Sequence, residues 1–96
     1  MFRDFDYLCV LDFEAQCIDG QTLDVQEIVE FPITVIDVKA KEIAFTFHHY
    51  IKPVVHPKLY PFCTELTGIT QDKVDAGIKL EEALEKVDEF LTEKVT

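Results

Sequence analysis

The run Tyr7-Leu8-Cys9-Val10-Leu11-Asp12-Phe13-Glu14-Ala15 constrains this chain more than any other stretch. It reads as an apolar strand that delivers two carboxylates at its far end. Side chains alternate across a strand, so Asp12 and Glu14 share one face while Leu11 and Phe13 take the other. Two acids held side by side repel each other and resist desolvation unless a cation lies between them. A hard, oxygen-seeking divalent ion such as Mg²⁺ or Mn²⁺ suits that place, and a pair of such ions forms the clamp of in-line phosphodiester cleavage. The alternative is a solvated charge pair at the end of a buried strand, because structural acids also occupy such positions.

The rest of the composition narrows the setting. With 96 residues, the chain has room for one small domain. Its 48% hydrophobic content supports a core and argues against disorder. The formal net charge of −10 argues against a binder that holds nucleic acid by basic residues alone. It leaves room for an enzyme that meets phosphates through bound metal, since such ions are often the largest local charges in a site. Cys9, Cys17 and Cys63 are odd in number and lack CxxC spacing, so neither a zinc site nor a disulfide scaffold is expected. The N-terminal Met1-Phe2-Arg3-Asp4-Phe5-Asp6 is acidic where a signal peptide would be apolar, and no apolar run reaches membrane-spanning length. An intracellular setting, cytoplasmic or nuclear, with no membrane partner is expected.

Periodicity and turn residues predict the elements. Tyr7 to Phe13 reads as a central strand. Gln16 to Gln26 reads as a loop turning at Asp19-Gly20, with Asp19, Asp24 and Glu27 as solvated acids. Ile28 to Val38 is a second strand, in which Pro32 marks an edge position or a bulge. After a turn at Lys39-Ala40-Lys41, Glu42 to Ile51 forms a third strand and closes an antiparallel hairpin. Pro53, Pro57 and Pro61 punctuate a loop. A short helix follows over Leu59 to Leu66, capped by Gly68, and another turn of helix after Thr70. Leu80 to Val95 is the clearest helix, with Leu80, Ala83, Leu84, Val87, Leu91 and Val95 on one stripe. A three-stranded meander with one long helix leaves the apolar first strand without a neighbour, so the sheet is expected to need a further, parallel strand.

Three blocks, in order, resemble one enzyme family. Val10-Leu11-Asp12-Phe13-Glu14-Ala15-Gln16-Cys17, then Gln26-Glu27-Ile28-Val29-Glu30-Phe31-Pro32, then Phe62-Cys63-Thr64-Glu65-Leu66-Thr67-Gly68-Ile69-Thr70-Gln71 are similar to the histone-mRNA 3′-end and enhanced-RNAi exonucleases. These belong to the DEDDh group of 3′→5′ exonucleases, with a ribonuclease-H-like α/β fold. The resemblance spans about Phe5 to Leu91. It implies that residues 1–96 are the N-terminal half of a single exonuclease domain, incomplete without further strands. It implies a metal-dependent enzyme that shortens RNA, with DNA as second candidate, from the 3′ end and releases nucleoside 5′-monophosphates. Its partners would be single-stranded RNA 3′ ends or short duplex overhangs.

The resemblance also assigns residues. Asp12 and Glu14 match the first two acids of the family and would be catalytic metal ligands for two Mg²⁺ or Mn²⁺ ions. The remaining acids and a histidine base would lie outside this chain; His48, His49 and His56 stand in the wrong places to be that base. Phe13, Glu14 and Ala15, with Phe62, Leu66, Thr67 and Gly68, would meet the terminal nucleotide. For Leu66 the competing expectation is a core position beside Ile69, with Gly68 acting only as a helix cap. Glu30 would either steady the site or a bound ribose, or serve as an edge-strand charge. By itself, the chain is expected to be inactive. The alternative to an enzyme is a truncated, non-catalytic module for binding or dimerisation, with self-association of the chain through its open sheet edge.

Overall fold

In the computed structural model, described for residues 4–95, the element order is β1 (Tyr7–Leu11), β2 (Glu14–Ala15), β3 (Ile28–Asp37), β4 (Glu42–Tyr50), α1 (Pro61–Thr67), α2 (Gln71–Asp75) and α3 (Leu80–Lys94). The first three residues of the acidic N-terminal stretch lie outside the described residues. Pairing among these four strands is antiparallel and centres on β3, which has β1 and β2 along one side and β4 along the other; Ile51, just past β4, adds an isolated parallel bridge to Ile78. The predicted hairpin is β3–β4. Its turn closes with the Lys41 N–H on the Asp37 carbonyl at 2.8 Å and the Ala40 N–H on the Asp37 carboxylate at 2.9 Å.

β1 has β3 on one side and no strand on the other among the described residues, which leaves open the edge where a further parallel strand is expected. One expectation is corrected: Pro32 does not lie at an edge, because β3 is paired along both sides. The proline is accommodated by its neighbour. Register runs unbroken from Tyr7↔Asp37 through Leu11↔Ile33 to Glu14↔Glu30, which sets Asp12 opposite Pro32. The Val38 N–H donates to the Asp6 carbonyl at 3.1 Å, so even-numbered residues of β3 aim their backbone groups at β1. Pro32 has no N–H to give. The predicted single strand therefore breaks over Asp12 and Phe13 into β1 and β2, and a bulge follows between Glu14 and Ala15.

Alternation splits the sheet into two unlike faces. Odd-numbered Phe31, Ile33 and Val35 are buried with Ile51 and with Ala83 of α3, flanked by Tyr7, Cys9, Phe45, Phe47, Val87 and Phe90. Val29, Ile69 and Val74 form a second cluster under α2. On the other face Leu8, Val10 and Ile43 stay exposed, at 40%, 44% and 63%. The α3 stripe is likewise wider than the sheet beneath it: Ala83 is buried, whereas Leu84 is 52% exposed. A sheet with one covered face and one apolar open face is part of a larger layered arrangement. The hollow beside β1, lined by Phe5, Leu8, Ile36 and Val38, belongs to that open face.

Candidate active site

The break in the strand is where the two acids stand. Phe13 turns its ring edge-on to buried Phe31, with centroids 4.6 Å apart and planes at 83°. That contact fixes Phe13 on the helix-covered face and leaves Asp12 and Glu14 on the open one, as alternation requires. Asp12 is exposed and Glu14 half-buried. Glu14 lies directly opposite Glu30 in the β2–β3 register. Glu30 turns toward β4, where one carboxylate oxygen stands 2.6 Å from His48 Nε2. The edge-charge reading of Glu30 is thereby excluded, since its strand is the middle of the sheet. His49 faces the other way, against Phe47 at 5.1 Å.

The third sequence block is brought to the same place. The buried Cys63 thiol of α1 donates to the Ala15 carbonyl at 3.6 Å, seating α1 on β2. Phe62 and Leu66 are four residues apart and share one side of that helix. Phe62 is half-buried, and Leu66 is 66% exposed, so the core expectation for Leu66 is corrected; buried Ile69 takes that role. α1 ends as predicted, with Gly68 in the left-handed region at φ 77° and its N–H on the Thr64 carbonyl at 2.8 Å. The Thr67 hydroxyl donates to the Cys63 carbonyl at 2.8 Å and accepts from the Ile69 N–H at 3.1 Å, which stiffens the turn. Thr70 caps α2 only in position: its hydroxyl bonds the Asp72 carboxylate, whose pKa is thereby lowered, rather than the helix backbone.

Three features of this region were not read from the sequence. Gln16 is buried and reaches across 40 to 44 residues of sequence. Its amide donates to the carbonyls of His56 at 3.0 Å and Lys58 at 2.9 Å, and its oxygen accepts from the Tyr60 N–H at 3.2 Å. It thus joins the acid-bearing strand to the loop that leads into α1. Glu27 is not the solvated acid expected. Its carboxylate accepts from the backbone N–H groups of Val54, Val55 and His56 at 2.6, 3.0 and 2.9 Å. Burial, the largest single influence, opposes its ionisation, but the three N–H groups together prevail and its pKa is lowered. Asp24 bonds His56 Nε2 at 3.1 Å, and that bond with the Val25 N–H holds its carboxyl below the usual range. Third, Cys17 lies beside Cys63. Burial first and then the Cys63 side chain push its thiol up to about 11, so it stays protonated and unreactive at neutral pH. All three thiols are free.

The family model described as Exonuclease (RNase_T) matches residues 9–96. The chain belongs to that exonuclease family. ERI1 exoribonuclease 3 of Homo sapiens is 51% identical over 90 residues, covering 94% of this chain and 26% of the relative. The 3'-5' exoribonuclease 1 of Homo sapiens is 41% identical over 88 residues, covering 91% of this chain and 25% of its own length. Among solved structures, the nuclease domain of 3'hExo, a DEDDh family member bound to rAMP, superposes with a TM-score of 0.91 at 39% identity. That superposition covers 96% of this chain and 46% of that one. The 3'-exonuclease seen in 3'-end specific recognition of histone mRNA stem-loop gives 0.90 at 39% identity, covering 96% and 32%. The chain therefore has the ribonuclease-H-like exonuclease fold in its N-terminal part, and spans about a quarter of the length of the curated relatives it matches.

Exonucleases of the DEDDh group use divalent metal ions. The oxygen donors here suit a hard cation: two carboxylates on one face, two residues apart, at a strand break. Among the described residues no group of three or more His, Cys, Asp and Glu side chains is placed to hold a metal. No helix of the described residues is long and apolar enough to cross a membrane.

Proposed function

We propose that residues 1–96 are the N-terminal half of a single exonuclease domain, and that this domain is a metal-dependent 3′→5′ exonuclease acting on RNA. The observation that supports it most is the meeting of Asp12 and Glu14, on the open face of the strand break, with α1 seated on Ala15. In this reading Asp12 and Glu14 hold Mg²⁺ or Mn²⁺. When bound, a pair of such ions activates water and stabilises the leaving 3′ oxygen. The chain's own residues position the substrate. Phe62 and Leu66 offer apolar surface on which the terminal base stacks, a contact indifferent to base identity. The Thr67–Gly68 turn and the backbone at Phe13–Ala15 hold the terminal sugar. Single-stranded 3′ ends and short overhangs fit such a site, because a base must leave a duplex to stack on a side chain. DNA is the second substrate class. The products are nucleoside 5′-monophosphates.

The open edge of β1, with exposed Leu8 and Val10, supports the second reading: a non-catalytic module that binds or dimerises through that edge. A 5′-labelled single-stranded RNA incubated with the full-length protein and Mn²⁺ separates the two. The proposal expects stepwise shortening from the 3′ end, release of 5′-monophosphates, and arrest by chelator. Intact RNA, or metal-independent internal cuts, contradicts it. The 96-residue chain alone is expected to leave the RNA intact, since a general base contributes about 10²–10⁴-fold and none of His48, His49 and His56 is assigned that role.

A further inference from the structure

Glu30 is a third acid on the face that carries Asp12 and Glu14, and its surroundings define a role distinct from theirs. It stands directly across from Glu14 in register, and like charges so placed on neighbouring strands repel. His48 holds it back: one carboxylate oxygen, Oε2, is 2.6 Å from His48 Nε2. The imidazole is itself set by an edge-to-face contact with Tyr50, centroids 4.8 Å apart at 86°. The ammonium of Lys73 stands over the Tyr50 ring, 5.6 Å from its centre. The Glu30 side chain is 23% exposed and the His48 side chain 44%. The second oxygen, Oε1, has no hydrogen-bond partner among the described residues.

We propose that Glu30, oriented by His48, is a positioning residue for the metal site built on Asp12 and Glu14. The proposal rests on the reading of those two as ligands. Glu30 is not assigned as a third ligand, because no three such side chains converge among the described residues. It adds a negative charge beside Glu14 and presents Oε1 as an acceptor. Hard divalent ions, Mg²⁺ above all, keep several of their hydration waters, and these need acceptors beyond the ligands themselves. Such outer partners fix ligand orientation, and their loss typically costs about 10–100-fold in metal affinity or activity. The His48 bond keeps Glu30 from swinging onto Glu14 or competing for the ion.

The test uses the full-length protein, with Mn²⁺ affinity read by electron paramagnetic resonance and kcat and KM read on single-stranded RNA. Glu30→Gln and His48→Ala, each checked for native circular dichroism, are expected to weaken Mn²⁺ binding about tenfold or more and to lower kcat with KM for RNA unchanged. His48→Gln, which keeps a side-chain N–H within reach of Glu30, is expected to recover most of both. Wild-type Mn²⁺ affinity and kcat in both Glu30→Gln and His48→Ala, alongside loss of Mn²⁺ binding in Asp12→Asn, would overturn this inference while leaving the metal site standing. Undiminished Mn²⁺ binding in Asp12→Asn would overturn the metal site itself and the role of Glu30 with it.

Discussion

Replacing Gln16 should show how firmly the acid-bearing strand is tied to the α1 side of the site. The side chain is 2% exposed and makes three hydrogen bonds to the backbone of the 56–60 loop. Each such bond is worth about 1 kcal/mol net, and a buried group left without a partner costs about 1–3 kcal/mol. The bonds are only partly buried, so water relieves some of the loss. Gln16→Ala is therefore expected to destabilise the fold by about 2–4 kcal/mol. Gln16→Met separates bonding from volume, because it fills the same space with no polar atom. If the bonds carry the effect, Met costs nearly as much as Ala. Urea unfolding of the full-length protein measures both, and a fall in midpoint at unchanged slope is the signature of lost stability. Limited proteolysis should show the 56–60 loop cut faster. A Gln16→Met variant within about 0.5 kcal/mol of wild type would refute the reasoning, since that is the range of an ordinary surface change.

Gly77→Ala should cost about 1–3 kcal/mol, because the new Cβ would stand 2.4 Å from the Tyr50 carbonyl oxygen and force apart the Ile78-to-Tyr50 and Lys52-to-Ile78 hydrogen bonds; an unchanged urea midpoint would contradict that packing. Glu27 has a folded-state pKa below its unfolded value, so its contribution is full above the ordinary carboxylate range and is lost as pH falls through the lowered folded value. Glu27→Gln should therefore be less stable than wild type at neutral pH, with the gap closing in paired urea titrations as pH falls through the lowered folded value; a gap independent of pH would show that the three N–H contacts do not depend on its charge. The isolated 96-residue chain, with Leu8, Val10 and Ile43 exposed beside an unpaired strand edge, should self-associate. Light scattering across a concentration series checks this, and a concentration-independent monomer would mean that the open face is better protected than its exposures imply.

What was legible in the sequence was local. Gly68 ended α1 because a left-handed cap favours glycine, and the short Lys39-Ala40-Lys41 turn announced the hairpin. The α3 stripe followed from its period, although Leu84 shows that an apolar stripe does not say how much of it the chain itself covers. Asp12 and Glu14 fell on one face because alternation has a period of two. Strand order was not legible. Pro32 usually excludes a strand from the middle of a sheet, and here the adjacent strand breaks instead, which no local pattern reveals. Gln16 looked like the start of a polar loop because its partners lie 40 to 44 residues away. Glu27 looked solvated for the same reason, with its three N–H donors 27 to 29 residues on. Glu30 and His48 were both visible, but only the β3–β4 register places them together.

The central claim is that Asp12 and Glu14 hold the divalent ion on which exonuclease activity depends. Its most direct test is Asp12→Asn in the full-length protein, a change of one oxygen for one nitrogen at an exposed position. The variant and the wild type would be compared for release of 5′-monophosphates from single-stranded RNA in Mn²⁺, with urea midpoints measured on the same samples. Asp12→Asn should show an unchanged midpoint and no release above background. Release at the wild-type rate by a folded Asp12→Asn protein would contradict the central claim.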